Sequence, residues 1–370
     1  MSTTLPKQAR LDDAPFILQD GLYGLIQTLH GAMRRAADAG ATAPELDELL
    51  LMSGVAFKSY MPEFEAADPH AFQPDHLGKY VCNWGAFESL GYYYGWDLKE
   101  FLTLNILDFW KLLQFEIASG RPVVTLDARP GLPPMLVLGY AFEKVEEPGE
   151  DGKTKLSVRK SLDVLRAGAT EVETIDMSEA VDFQPDEPTV RNWMLIARPA
   201  VQPEYAPDPK YLRIRVLRWA VSHAKNRREL SQEFSRHYAS GHRAFDAFLA
   251  RLDAIATGEK QPESLGSEWA EFARAHVAEL ARARATAARY LPRWAKDFAE
   301  DSELFPEPQP QFGAAMRACA EAYGQVAEVL GACNGEDFES LHLAYKQAYD
   351  AEIAATGALS DALSYLPSGI

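Results

Sequence analysis

Near the start of the chain, the side chains best able to take part in catalysis or ligand binding are those of Gln19, Asp20 and Tyr23. They precede or open a helical pattern whose apolar residues recur at Leu22, Leu25, Ile26, Leu29 and Met33. The Asp20 carboxylate has two interpretations here. It caps the helix, which is worth about 1 kcal/mol, or it lies in a cleft, where it binds a cation or acts as a base. The two roles are compatible, because a capping residue at the floor of a cleft can serve both.

Cys82 is the second candidate for chemistry. A thiol nucleophile needs an imidazole to take its proton, and the closest histidines in sequence are His70 and His76. Isolated cysteines are more often small buried hydrophobic side chains, so an inert Cys82 is the simpler interpretation. Cys319 and Cys333 lie in an apolar helical pattern and are predicted to belong to a core.

Aromatic side chains are densest between residues 84 and 96. Such groups stack on flat or cationic ligands, although at this density they usually form a core or an interface. On the binding interpretation, Trp84 and Tyr93 contact the ligand. The group consists of Trp84, Phe87, Tyr92, Tyr93, Tyr94 and Trp96.

Motifs for metals and nucleotides are weak or missing. His237 and His242 are five residues apart, a spacing that does not place them on one helical face. The Glu339-x-x-His342 spacing occurs once, where a di-iron bundle needs two copies. The sequence has no nucleophile elbow, Walker loop or dinucleotide-binding glycine motif. We therefore predict no metal and no cofactor.

The basic residues cluster in two places, each with flanking acids, and are predicted to form solvated helix faces. The alternative is an anion site made by Arg282 and Arg284 against the first domain. The clusters are Lys225, Arg227 and Arg228, and Arg274, Arg282 and Arg284.

The overall composition narrows the classes of partner. The chain has 370 residues, and its 37 basic and 54 acidic side chains give a formal charge of −17. Such a surface repels nucleic acids and anionic membranes. The three cysteines are too few for a disulfide framework, the first residues lack a signal-peptide core, and the apolar runs are too short to span a bilayer. We expect a soluble, cytoplasmic protein that binds neither nucleic acid nor membranes.

The candidate residues lie on a predicted α+β framework. Helices are predicted over Gly21–Ala37, from Thr42 to Gly54, near 83–94, and over Leu98–Ala118 with Asp97 as cap. Buried strands are predicted at 123–126 and 135–140, further short strands at 156–158, 172–175 and 192–196, and a hairpin turn at 146–153. Alanine-rich helices follow at 211–225, 229–256, 267–299, 309–333 and 336–358. This order predicts an α+β domain over residues 1–205 and a helical domain over 206–370.

Several short motifs on this framework resemble a known family. They are the helix opened by Asp20-Gly21, the phrase Met52-Ser53-Gly54-Val55-Ala56-Phe57, and the paired segments Arg121–Val124 and Val137–Tyr140. These are similar to the N-terminal domain of the family of butirosin biosynthesis protein H, which resembles bacteriocin-processing cysteine peptidases, a branch of the papain-like fold. The alanine-rich tail is similar to the helical extension of bacterial proteins in this group. The resemblance covers residues 15–300 roughly, and it implies a papain-like, cysteine-peptidase-like domain followed by an alanine-rich helical unit.

The same resemblance implies that the catalytic pair is missing. In active members a cysteine opens the first helix, and a histidine precedes the strand that ends in the Gly-Tyr pair. The cysteine position falls here on Asp20 or Gly21, and the histidine position on Pro133 or Pro134. Proline cannot accept a thiol proton. Gln19 occupies the place of a glutamine that donates to an oxyanion, but it has no nucleophile beside it.

Three hypotheses of function follow. The first is a diverged, non-catalytic papain-like protein that binds a small molecule or peptide in the ancestral cleft, lined by Asp20, Tyr23, Cys82, Trp84 and Tyr93. The second, implied by the resemblance, is an acyl- or amide-transfer enzyme of bacterial secondary metabolism with a thioester-linked acyl donor. It would use Asp20 as base and Gln19 as oxyanion donor, or another nucleophile such as Cys82. The third is a structural protein whose aromatic group and helical tail form a homodimer interface.

Overall fold

The structure is a computed structural model. It describes residues 6–11, 24–37, 42–62, 90–102, 105–125, 134–148, 154–166, 169–177, 193–202, 206–225, 229–231, 236–257, 267–333 and 337–367. The chain groups into two compact units. Unit 1 comprises Met1–Pro44 and Tyr94–Ala206, and unit 2 comprises Glu45–Tyr93 and Pro207–Ile370. The break at Ala206 lies beside the boundary expected from the sequence, whereas residues 45–93 group with the helical unit.

Unit 1 is built on an antiparallel sheet, so the coarser part of the predicted α+β fold, helices together with an antiparallel sheet, is confirmed. Its strands are β1 (Gln8–Arg10), β3 (Trp96–Leu102), β4 (Val123–Thr125), β5 (Met135–Pro148), β6 (Thr154–Arg166), β7 (Glu173–Asp176) and β8 (Trp193–Pro199). Their order in the sheet is β3, β8, β4, β5, β6, β7, and β1 pairs with β5. The helices of this unit are α1 (Gly24–Ala36) and α3 (Ile106–Ala118).

The strands predicted in this unit are present, and the predicted hairpin is confirmed because Pro148 of β5 pairs with Thr154 of β6. The helix predicted over Leu98–Ala118 with Asp97 as cap is wrong in its first part. Residues 96–102 form β3, which pairs with β8 along its whole length, and α3 is capped by Asn105, whose Oδ1 accepts from the Leu107 amide at 2.7 Å. Trp96 and Leu98 are buried and alternate with more exposed residues, which is the two-residue period of a strand.

Unit 2 is mainly helical. Its helices are α2 (Leu46–Met52), α4 (Pro209–Lys225), α5 (His242–Ala256), α6 (Ser267–Ala299), α7 (Pro310–Gly331) and α8 (Phe338–Ser364), with a 3-10 turn at Val55–Phe57. The long helices α6, α7 and α8 pack against one another in succession. A small antiparallel sheet has the order β2, β10, β9, with β2 at Tyr60–Pro62, β9 at Glu229–Ser231 and β10 at Arg236–Ser240. Among the described helices of both units, none is long and apolar enough to cross a membrane.

Four of the five helices predicted in this region are confirmed, and the fifth, over 229–256, is wrong in its first half. Residues 236–240 form β10 because they pair with β2, 176 to 180 positions earlier in the chain, and local periodicity cannot reveal such a partner. The helix α5 begins only after Gly241, whose φ of 57° ends the strand.

Candidate functional site

The described residues contain one member of the predicted ligand-binding set. Tyr93 lies in a helical stretch at 90–94, is half-buried, and meets the ring of Tyr92 edge-on at 5.5 Å. It groups with unit 2. The other predicted residues, Gln19, Asp20, Tyr23, Cys82 and Trp84, lie outside the described residues, as do Gly21, His70, His76 and Pro133.

The helix α1 is enclosed at its start. It packs on β4, β5 and β8 of the antiparallel sheet. The five consecutive residues from Leu25 to Leu29 are all buried. Because successive helical residues differ by about 100°, five buried neighbours mean that this part of α1 is surrounded on every side. The sequence predicted instead an amphipathic helix with one buried stripe.

Gln27 is the unusual member of that buried set. Its side chain is only 5% exposed, and no donor among the described residues pairs with its Oε1 atom. On the helical wheel it lies opposite the apolar stripe of Leu25 and Leu29. An unsatisfied buried acceptor costs about 1–3 kcal/mol, so folding alone does not explain this side chain.

His30 lies one turn further along the same side of α1. Its imidazole is half-buried and makes a hydrogen bond with the backbone of Pro44. Proline has no N–H, so the ring nitrogen donates to the Pro44 carbonyl. Burial and then the nearby Arg34 charge lower the pKa of His30, while the bond to Pro44 opposes this shift. The imidazole is therefore neutral near pH 7, and its second nitrogen is an acceptor.

The segment that holds His30 is itself anchored within unit 1. The Trp96 indole N–H of β3 donates to the Thr42 carbonyl at 3.1 Å, and Trp96 is buried. This bond fixes the chain two residues before Pro44. The Pro44 carbonyl that orients His30 therefore belongs to a segment that is held by a buried strand residue.

The α1 face formed by Gln27, His30 and Gly31 can accept hydrogen bonds from a ligand. Gly31, one turn beyond Gln27, is buried and has no side chain. The described part of α1 contains no carboxylate, and its basic residues are Arg34 and Arg35. This face therefore suits an uncharged donor group better than a cation.

Unit 2 contains a second buried polar group, centred on Arg284 of α6. Its guanidinium forms a bidentate ion pair with Glu352 of α8, at 2.7 Å for each bond. It also donates to the carbonyls of Ala56 at 2.6 Å, Lys58 at 3.3 Å and Phe57 at 3.4 Å. Arg284 therefore ties the 3-10 turn to two long helices.

The sequence interpretation of Arg284 is wrong. It was predicted to lie on a solvated face or in an anion site with Arg282, and it is fully buried against Glu352. Arg274 and Arg282 are exposed, as predicted. The three arginines are ten residues apart at most, and helical geometry turns only Arg284 toward α8.

The titratable groups around Arg284 are held in uncharged states. Burial raises the pKa of the Tyr323 and Tyr345 hydroxyls and of the Cys319 thiol. Burial, with the Arg284 charge, lowers the pKa of His276 to about 4, and its Nε2 lies 3.0 Å from the Tyr345 hydroxyl. A buried thiol with a raised pKa is a poor nucleophile, so this group supports the fold.

The remaining cysteine and histidine predictions have mixed outcomes. Cys319 is buried as predicted, but Cys333 is only half-buried because it follows the end of α7. His237 lies in β10 and His242 opens α5. His342 Nε2 contacts the Asp253 carboxylate at 2.8 Å. Within the described ranges, no group of three or more His, Cys, Asp or Glu residues could hold a metal ion.

Sequence reasoning missed Gln27 and His30. Both lie off the apolar stripe of α1, and a polar residue in that position is ordinarily on the solvent side of a helix. The chain carries no local signal that this side is covered.

Comparison with known proteins adds no assignment, because neither a protein-family model nor a curated protein matches the chain.

Proposed function

We propose that this protein is a diverged, non-catalytic papain-like protein of the cytoplasm that binds a small molecule or peptide beside α1. The resemblance of its motifs implies a central helix on an antiparallel sheet. The packing of α1 on β4, β5 and β8 is consistent with that arrangement. The two free cysteines described, Cys319 and Cys333, are consistent with a reducing compartment.

The residues that lead into β5 support the absence of catalysis. The family histidine would fall on Pro133 or Pro134, and Pro134 is buried directly before Met135, the first residue of β5. A buried proline can neither take a proton nor donate one. With Asp20 or Gly21 at the cysteine position, the inherited acyl-enzyme chemistry has no nucleophile and no base.

The observation that carries the binding proposal is Gln27. Its amide oxygen is buried without a described donor, and native proteins rarely bury an acceptor unless it has a partner. A bound ligand would supply that partner. Residues 20 and 27 are seven positions apart, close to two helical turns, so the sequence predicts that Asp20 continues the same side of the helix.

Native mass spectrometry of the freshly purified protein tests the proposal. We expect a mass excess that disappears when the same sample is denatured, and a smaller occupied fraction in Gln27→Leu. Gln114→Leu, which removes a half-buried glutamine of α3, is the matched control and should keep the excess. An acyl adduct that survives denaturation and maps to Cys82 would instead support the acyl-transfer hypothesis.

A further inference from the structure

The C-terminal end of α3 holds the backbone of Arg121 in place. Gly120 follows the helix with a φ of 80°, in the left-handed region that glycine favours. Its amide donates to the Ile117 carbonyl at 3.0 Å, and the Arg121 amide donates to the Glu116 carbonyl at 3.0 Å. These two bonds form a Schellman motif. Arg121 is therefore fixed next to the last turn of α3.

The Arg121 side chain is anchored at one end to a carboxylate that already has a partner. Its Nε donates at 2.7 Å to Glu116, whose side chain is fully buried. The same carboxylate forms a bidentate pair with Arg198 of β8, through Nε and Nη2. The cross-strand neighbour of Arg198 is Asp97, which pairs with Lys99 at 3.1 Å. Two guanidinium charges thus share one carboxylate charge, and one positive charge is left over.

The other end of the Arg121 guanidinium is open to a ligand. No described residue bonds to its Nη1 and Nη2 atoms, neither atom is buried, and 24% of the side chain is exposed. The two nitrogens of one guanidinium match the two oxygens of a carboxylate, and such a bidentate pair is stronger than a bond between neutral groups. Because Glu116 already orients Arg121, a ligand does not have to meet the entropy cost of ordering this side chain.

An apolar surface lies beside this guanidinium. The centre of the Phe115 ring is 5.9 Å from Arg121 Cζ, and half of the Phe115 surface is exposed. Covering an exposed aromatic ring with an apolar group removes apolar area from water, which is favourable. The two side chains together therefore match a ligand that has a carboxylate and an apolar group.

We propose that Arg121 and Phe115 bind a carboxylate that carries an apolar group, with both carboxylate oxygens on Arg121 Nη1 and Nη2 and the apolar group on the Phe115 ring. A monoanion balances the one surplus positive charge. A phosphate dianion would leave a net negative charge in a chain whose formal charge is already −17. This site goes beyond the proposed function, because it uses α3 and β8 and does not involve Gln27 of α1.

Four probes separate the chemistries: benzoate, benzamide, acetate and phenyl phosphate. Binding to the full chain is followed by ligand-observed NMR at up to about 10 mM, a range that detects the millimolar affinities of small fragments. Benzamide lacks the charge, acetate lacks the ring, and phenyl phosphate has a second negative charge. We expect benzoate to bind, and the other three to bind at least about fivefold more weakly. Added NaCl should weaken benzoate binding, because the Arg121 charge is exposed to screening.

Two substitutions test the residues. Arg121→Lys keeps a positive charge for Glu116 but removes the bidentate donor, and should weaken benzoate binding about tenfold. Phe115→Ser changes an exposed position that the fold does not need, and should reduce the advantage of benzoate over acetate. Arg293→Lys is the matched control, because Arg293 is also exposed and lies over an aromatic ring, that of Tyr290. It should leave benzoate binding unchanged.

The possible outcomes differ for this site and for the proposed function. Equal benzoate affinity in wild type and Arg121→Lys, or no benzoate binding by the full chain, would overturn the site. Tighter binding of phenyl phosphate than of benzoate would show that the ligand class is wrong. Gln27→Leu should leave benzoate binding unchanged, so a failure of the Arg121 site does not affect the proposal for α1. Loss of benzoate binding in Gln27→Leu would contradict the assignment to Arg121 and Phe115.

Discussion

The polar groups around Arg284 in unit 2 and the polar face of α1 in unit 1 are both buried, but they are satisfied to different degrees. Arg284 has a bidentate carboxylate partner and three backbone carbonyls. Gln27 has an amide oxygen without a described donor. Unit 1 can satisfy buried charge elsewhere, since its buried Glu116 is paired with Arg121 at 2.7 Å and with Arg198.

This difference distinguishes a buried polar group that stabilises the fold from one that is expected to bind a ligand. A buried polar group that is fully paired makes its surroundings rigid and specific, and its removal shows up as lost stability. A buried group left unpaired costs stability in the free protein, and a bound partner would recover that cost. Substitutions in the two regions should therefore change stability in opposite directions.

The largest effect is expected from Arg284→Met. It leaves the Glu352 carboxylate buried without its counter-charge and three carbonyls without their donor, which costs about 3–5 kcal/mol. Urea denaturation at pH 7 measures this loss. Arg282→Met, two residues away on the exposed side of α6, should change the free energy of unfolding by less than about 0.5 kcal/mol. Similar values for the two variants would mean that the Arg284 group does not hold the fold.

Gly241→Ala should be the next most damaging change. The φ of Gly241 is 57°, and an added Cβ would lie 2.3 Å from the His223 carbonyl oxygen. Backbone strain and overlap together predict a loss of about 3–4 kcal/mol. Gly357→Ala in α8 is the control, because nothing lies within 4 Å of its added Cβ. That substitution should stabilise the protein by about 1 kcal/mol. Thermal unfolding of both variants tests the contrast, and equal shifts would contradict it.

These two positions also show what the sequence could and could not predict. The helix containing Arg284 was predicted with its observed limits, because alanine-rich periodicity is a local signal. The partner of Arg284 was not, because Glu352 lies 68 positions away. The turn at Gly241 was missed for the same reason, since β10 exists only through its pairing with β2.

In unit 1 the sequence predicted strands more reliably than the site. Val123–Thr125 and Met135–Tyr140 are short apolar runs whose burial is evident from composition. Gln27 and His30 have no such signal, since their role depends on burial of the helix side opposite the apolar stripe. The predicted ligand contacts Asp20 and Cys82 stay predictions, because they lie outside the described residues.

The pH dependence of stability should depend strongly on His276. The pKa of this imidazole falls from 6.5 in the unfolded chain to about 4 in the fold. As pH falls below 6.5 the unfolded state takes up a proton that the folded state excludes, so stability is full above pH 6.5 and is lost progressively down to about pH 4. This pKa shift corresponds to a loss of about 3 kcal/mol in the free energy of unfolding by about pH 4. His276→Gln keeps a polar partner for Tyr345 and removes the titration. Urea denaturation from pH 7 to pH 4 should show a flatter profile for the variant, and parallel profiles would exclude this role.

The smallest expected effect has the opposite sign and tests the contrast between the two regions directly. Gln27→Leu replaces an unpaired amide with a side chain of similar volume, so the ligand-free protein should gain about 1–2 kcal/mol because the desolvation cost of the acceptor disappears. Urea denaturation of protein stripped of ligand by refolding measures the gain. A loss of stability would mean that Gln27 already has a partner in the free protein, and α1 would then resemble the Arg284 group. If the gain is observed together with loss of the ligand from the native mass spectrum, stability and binding compete at this one amide.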